Sequence, residues 1–333
     1  MPTDIDIHEN DILQQDPVLL ETLLIDRSRP KNSDKNGSKK SQHIIWATSN
    51  YESLGPAYAE DAQISVESIT GDHGNVIQPR IRKTKEEQQA RSRDKGEVFT
   101  PAWICNAQNN LVDNEWFGIP SPFNTETEKG WITNLNPIPF PTKDGKTWQD
   151  YVNDTRLEVT CGEAPYLVSR YDAITGDIFP VKDRIGLLGR KLRVVAENTS
   201  TEEEWYTAAK KAYQSIYGYE WQGDNLLLAR ENALFTFEDY YQDKFGGEPT
   251  KKQLREIAEI ISWNFWQMDG LKGVIPNSCH EEVLPTLFND EDGVHNPCPG
   301  CEKGGIRNHN GIYCNIKDWA ARKTIRFIDL IKP

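Results

Sequence analysis

Three cysteines and a histidine late in the chain have the spacing of a metal knuckle. His295-Asn296-Pro297-Cys298-Pro299-Gly300-Cys301 is followed, after twelve residues, by Cys314. Thiolate sulfur and imidazole nitrogen are the donors zinc takes in tetrahedral sites, and a Pro-Gly pair turns two flanking sulfurs toward one ion. Cys298, Cys301 and Cys314 are therefore the expected thiolates. His295 is the expected fourth ligand, with His309 and Cys279 as alternatives. An empty reduced-thiol loop and a redox pair compete with this reading, although no thioredoxin-like strand precedes the CPGC.

A second set of candidates sits where apolar runs end. Glu158-Val159-Thr160-Cys161-Gly162-Glu163-Ala164-Pro165-Tyr166 places a glycine in a strand-to-helix turn. There the backbone can approach a ligand closely, and the unpaired N–H groups of the helix start can face it. Tyr217-Gly218-Tyr219-Glu220 ends in an acid that can accept both hydroxyls of a ribose. Trp266-Gln267-Met268-Asp269-Gly270 ends in an acid that can accept an exocyclic amine. Each has an ordinary reading as well: a tight turn, a helix-start acid, and a turn Asp before Gly.

The elements that must position them follow from periodicity. Arg156–Thr160 reads as a strand, with a short helix opening at CGEAPYL. Trp205, Ala208, Ala209, Ala212 and Ile216 share one helical face, Ser215–Tyr219 reads as a strand, and Asp224–Phe237 as a helix. Thr250 and Gln253 form a capping box for a helix carrying Leu254, Ile257, Ala258 and Ile261. Ile260–Trp266 reads as the next strand. Strands alternating with helices predict an α/β fold, a doubly wound Rossmann-like sheet with ligands beyond the carboxyl ends of its strands.

A glycine turn, a ribose acid and an adenine acid at successive strand ends suit an adenosine-containing cofactor. In this order the chain resembles the S-adenosylmethionine-dependent adenine-N6 DNA methyltransferases of restriction–modification systems. Gly96-Glu97-Val98-Phe99-Thr100-Pro101 is similar to the G-x-(V/F)-F-T-P segment of that family, and EVTCGEAPYL to its D-P-x-C-G-x-G-x-F-L loop. IYGYEWQGDNLLLARENAL and NFWQMDGL resemble two further family stretches, so the likeness runs over roughly residues 96–272. It implies S-adenosylmethionine held by Phe99, Thr100, Pro101, Glu158, Cys161, Gly162, Glu163 and Tyr166, with Glu220 on the ribose and Asp269 on the adenine.

Two departures matter. Ala164 stands where the family has glycine, which the turn accommodates if φ is negative there. The family's catalytic (D/N)-P-P-(Y/F) has no intact copy. Asn296-Pro297-Cys298-Pro299 and Asn136-Pro137-Ile138-Pro139-Phe140 are partial stand-ins, and TIRFIDLI reads as a strand ending where the motif would begin. The catalytic residues are thus unassigned. The expected protein is an S-adenosylmethionine-binding DNA adenine-N6 methyltransferase or the modification subunit of a restriction–modification system, with a partner polypeptide as one source of the catalytic motif, or else a non-catalytic zinc-containing DNA- or protein-binding module.

Composition sets the frame. The chain has 333 residues, 37% hydrophobic and 27% charged, with 38 basic against 51 acidic residues for a net charge of −13. That acidic balance excludes a uniformly basic nucleic-acid coat, while a local basic face remains compatible with DNA. Pro79–Lys95 is such a segment, and Arg80, Arg82, Lys83 and Lys85 are its candidate phosphate contacts. No apolar run is long enough to span a membrane, and the acidic start lacks an export signal, so the expected location is cytoplasmic. The expected division is a weakly ordered tail (1–41), a cofactor-covering arm (42–150), the Rossmann-like core (151–275) and a Cys-rich segment with a last strand (276–333).

Overall fold

The computed structural model describes residues 8–30, 42–141, 145–284 and 294–331. The described chain opens with α1 (Glu9–Gln15) and α2 (Pro17–Leu24), which are ordered helices and correct the expectation of a weak tail. Asp16 caps α2 by accepting from the Val18 N–H at 3.1 Å, and Leu19, Leu20, Leu23 and Leu24 are fully buried. Residues 31–41, the remainder of that tail, lie outside the described residues. Next come α3 (Val66–Ile69), α4 (Lys85–Lys95) and α5 (Ala102–Phe117). The Pro- and Trp-rich stretch that follows contains the hairpin β1 (Asn124–Thr127) and β2 (Gly130–Thr133), then α6 (Trp148–Asn153).

The central unit is β3 (Arg156–Glu158), α7 (Leu187–Asn198), α8 (Glu202–Gln214), β4 (Ile216–Glu220), α9 (Gly223–Phe245), α10 (Lys251–Asn264) and β5 (Phe265–Gln267). The three strands form a parallel sheet in the order β3-β4-β5. The molecule is thus a mixed α/β protein. Helix α10 runs to Asn264, so β5 begins five residues later than the expected strand, because the 3.6-residue periodicity continues through Ile260 and Ile261.

Side chains alternate across the sheet, as the pleat requires. Ile216 and Phe265 enter the large apolar cluster built with the helices. Tyr219 and Trp266 point the other way, into a smaller cluster with Met268, Ile275, Cys314 and Ile316 that contains no residue of the crossover helices. That face is covered by the hairpin β8 (Asn315–Asp318) and β9 (Lys323–Arg326), after the pair β6 (Glu282–Leu284) and β7 (Val294–Asn296) and the short α11 (Pro299–Lys303). TIRFIDLI accordingly forms an antiparallel hairpin strand and a 3-10 turn, and does not join the parallel sheet.

Arg230 binds the layers together. Fully buried on α9, it donates to the Phe265 carbonyl through Nε (2.9 Å) and Nη2 (2.6 Å), and to the Ile25 carbonyl through Nη1 (3.1 Å). One side chain thereby satisfies carbonyls at the end of α2 and the start of β5 that burial would otherwise leave unpaired.

Candidate functional site: an acidic pocket and a thiol cluster

Beyond the carboxyl ends of β3 and β4 lies a pocket of about 540 Å³, within the range of small-ligand sites. Phe99, Thr100, Glu158, Cys161, Gly162, Tyr166 and Glu220 line it, so seven of the residues expected around one cofactor come from three distant segments to one cavity. The turn after β3 is tightly wound: Thr160, Gly162 and Ala164 all have positive φ, at 48°, 53° and 61°. The expectation of a negative φ at Ala164 is therefore corrected. This residue adopts a glycine-like left-handed backbone and carries the strain of a side chain there.

Carboxylates dominate the wall. Glu158 accepts from the N–H groups of Leu167 (3.1 Å) and Tyr166 (3.3 Å). Glu220 accepts from Gly162 (2.8 Å) and Gln222 (3.2 Å), so strand end and glycine turn are fastened together. Burial pushes the Glu158 carboxyl up to about 8 against the pull of those two N–H groups, and the Glu220 charge pushes the same way. Burial also raises Glu220, opposed by backbone N–H groups and reinforced by Asp224. Glu60 and Glu97 complete the acidic lining, and Lys95 is the one cation in it among the described residues.

The cover over the pocket, residues 95–100, is held by a buried charge network. Arg91 donates to Glu97 (2.5 Å), to Asp224 (2.8 Å) and to Gln222 (3.0 Å). Lys83 lies 3.7 Å from Asp224 with its side chain 8% exposed. Of the proposed phosphate contacts, Lys83 is thus turned inward and unavailable to a backbone phosphate. Arg80 stacks over the Phe99 ring at 5.0 Å and, with Lys85 and Arg93, lines a surface concavity beside the pocket. Arg82 is half-buried in a 3-10 turn and does not line that concavity.

Three expected cofactor residues do other work. Pro101 caps α5. The Glu163 carboxylate accepts from the Arg80 N–H (2.6 Å) and the Tyr171 hydroxyl (2.5 Å). Asp269 closes its own turn, accepting from Leu271 N–H (3.0 Å) and pairing with Lys272 (3.3 Å), away from the pocket lining. Sequence reasoning missed Ala47, Glu60, Lys95, Trp221, Gln222 and Asn225 in the wall. Gln222 and Asn225 had a signal, since they follow Glu220 at the start of α9; Ala47 and Glu60 arrive from a remote segment and had none. Neither partial catalytic motif reaches the pocket: Asn136 and Asn296 are both exposed and absent from its lining.

The second site also differs from its expected membership. Cys279, Cys298, Cys301 and His309 bring their donor atoms within 4.8 Å of one another and could hold a metal ion such as zinc. His295 is exposed and pairs with Glu281 at 3.3 Å. Cys314 is fully buried in the small apolar cluster, its thiol donating to the Gln267 carbonyl at 3.4 Å. Two expected ligands are thus replaced by Cys279 and His309, because Cys314 sits on a segment whose apolar neighbours claim it for the core.

No protein-family model matches the chain, and no curated protein or solved structure matches it either. Among the described residues no helix is long and apolar enough to cross a membrane.

Proposed function

We propose that the acidic pocket binds S-adenosylmethionine and that the chain is the cofactor-binding part of an adenine-N6 DNA methyltransferase with a Rossmann-like core. The observation that carries this reading is the convergence of the 96–101 segment, the 158–166 turn and Glu220 on a single cavity. The composition of the wall supports it. Its carboxyl groups can accept from ribose hydroxyls, and Glu158, on losing its proton, can face a sulfonium centre, whereas Lys95 is the one cation that the described lining offers to a phosphate. Glu220 would accept from the ribose hydroxyls, the Gly162 turn would pass close to the methionine portion, and Phe99 and Thr100 would cover it.

In such an enzyme the flipped adenine's amine attacks the sulfonium methyl in line, and the protein's task is to hold the two partners in place. Further polypeptide is needed for this. The amide–carbonyl pair and stacking aromatic of the catalytic motif are missing, and among the described residues β3 is an edge strand whose Leu157 is 45% exposed. An exposed apolar edge is a ready template for another strand. DNA would run along α4 and the turn before it, where Arg80, Lys85 and Arg93 line the concavity beside the pocket.

Titration calorimetry with S-adenosylmethionine, its demethylated product, ATP and NAD tests the cofactor. Binding of the first two only is expected, about tenfold weaker in Glu220→Gln, in keeping with a lost hydrogen bond to a charged acceptor. A sulfonium beside Glu158 should expel its proton, so the enthalpy at neutral pH should vary with the buffer for S-adenosylmethionine. Binding of ATP or NAD in place of S-adenosylmethionine would overturn the assignment. The absence of the catalytic motif favours a second reading, a binding module without transferase activity. Methyl transfer to DNA in the presence of a motif-bearing partner polypeptide excludes it.

A further inference from the structure

We propose that Cys279, Cys298, Cys301 and His309 bind one zinc ion in a closed Cys3His site that staples the C-terminal segment to the turn leaving β5. The inference is independent of the pocket's ligand.

Geometry is the first argument. A tetrahedral zinc with sulfur at about 2.3 Å and nitrogen at about 2.0–2.1 Å has sulfur–nitrogen edges of about 3.5 Å. His309 Nδ1 lies 3.7 Å from Cys279 Sγ, 3.6 Å from Cys298 Sγ and 3.7 Å from Cys301 Sγ. One nitrogen equidistant from three sulfurs at that spacing is the corner of a coordination tetrahedron. With neutral thiols these contacts would be weak hydrogen bonds competing for a single nitrogen.

The surroundings are shaped for the same purpose. A Cβ on Gly300 would stand 2.6 Å from His309 Nδ1 and within 2.8 Å of two ring carbons, so glycine between the cysteines admits the imidazole. The Asn310 N–H points at Cys298 Sγ at 3.3 Å, an arrangement that stabilises thiolate. The two limbs are already joined: Ile275 N–H donates to the Ile312 carbonyl (2.8 Å), Ile312 N–H to Ser278 Oγ (3.0 Å), and Asn310 Nδ2 to the His280 carbonyl (2.8 Å). Three thiolates, a neutral imidazole and a divalent ion leave one negative charge.

The stretch also needs an ion to hold its shape. Between residues 295 and 310 only Cys298 and Gly300 are buried, so little apolar area stabilises the path of the chain, and metal binding supplies what burial does not. Four protein donors leave no position for water, which marks the ion as structural and not as a hydrolytic centre.

Elemental analysis of the full chain tests this, together with cobalt substitution, which gives intense visible bands in a tetrahedral thiolate site. One zinc per chain is expected. Cys279→Ser and His309→Ala should weaken zinc in competition with a chromophoric chelator by more than the roughly 10–100-fold that loss of a supporting contact costs. Cys314→Ser and His295→Ala should leave zinc content unchanged. Gly300→Ala keeps all four donors yet should lose the ion, so it separates ligand loss from misfolding. Zinc lost in Cys314→Ser or His295→Ala but kept in Cys279→Ser, iron in the isolated protein, or a Cys298–Cys301 disulfide in metal-free folded protein would each overturn the proposal.

Discussion

Replacing Asp224 by Asn isolates the network that holds the pocket cover. Asp224 is fully buried and accepts from Arg91 (2.8 Å) and from the Tyr51 hydroxyl (2.7 Å). Burial alone would raise its carboxyl, but Arg91 and Lys83 outweigh that and hold it at about 2, against 3.8 for an ordinary Asp. Since one pKa unit is about 1.4 kcal/mol, the charge contributes about 2 kcal/mol at neutral pH. This lies somewhat below the roughly 3–5 kcal/mol that breaking a buried ion pair costs. A carboxyl depressed on folding stabilises the fold above the unfolded pKa and loses that contribution as pH falls through the folded value. The gap between wild type and Asp224→Asn in urea unfolding should therefore be about 2–4 kcal/mol near pH 7, and its charge-dependent part should fall to roughly half near pH 3. Because Arg91 also holds Glu97, the variant should bind the pocket's ligand more weakly. A gap under about 0.5 kcal/mol at pH 7, or one that does not change with pH, would refute the reasoning.

What was legible in the sequence depended on whether local pattern and burial agreed. Strands β3 and β4 fall within the stretches read as strands, although β3 turns Leu157 outward and buries Glu158, and the capped start of α10 followed from Thr250 with Gln253. Helix α5 was invisible to apolar periodicity because it is inverted: Asn106, Asn109, Asn110 and Asp113 face inward while Leu111 is 69% exposed. Its inward amides meet Arg190, which donates to Asp113 (2.6 Å), Asn106 (2.8 Å) and Asn110 (2.8 Å). No single-sequence pattern announces such a buried polar seam, since its partner lies far along the chain. The N-terminal helices were misjudged for a related reason. Acidic flanks hid Leu19, Leu20, Leu23 and Leu24, whose burial depends on α10 and α9.

The sites divide along the same line. The pocket lining was readable at β3 and β4, whose ends carry Glu158 and Glu220 next to the strands that position them, but not after β5, where Asp269 closes its own turn. The thiol cluster was half-readable: Cys298 and Cys301 are fixed by a local turn, whereas Cys279 and His309 join them through contacts between the 275–280 and 309–313 limbs. Cys314 had the better sequence spacing, but a thiol surrounded by Tyr219, Trp266 and Ile316 belongs to the apolar interior.

Two further predictions probe the seam and the pocket. Arg190→Leu should destabilise the fold by about 3–5 kcal/mol in denaturant unfolding, because it strands the buried Asp113 charge; pairing it with Asp113→Asn should recover part of the loss. Glu158→Gln concerns pH. The wild-type carboxyl is raised from 4.5 to about 8 on folding, first by burial and further by Glu220. A raised carboxyl gives its full stability below the unfolded pKa and loses it as pH climbs through the folded one. Wild type should thus lose as much as about 4 kcal/mol from this group between pH 4.5 and 8, and Glu158→Gln should lack that part of the slope. Glutamine keeps one acceptor for the Tyr166 and Leu167 N–H groups, so the variant should fold. Parallel stability–pH curves for the two proteins would mean that Glu158 is ionised in the folded state, and the pocket would then be far more anionic at neutral pH than its burial implies.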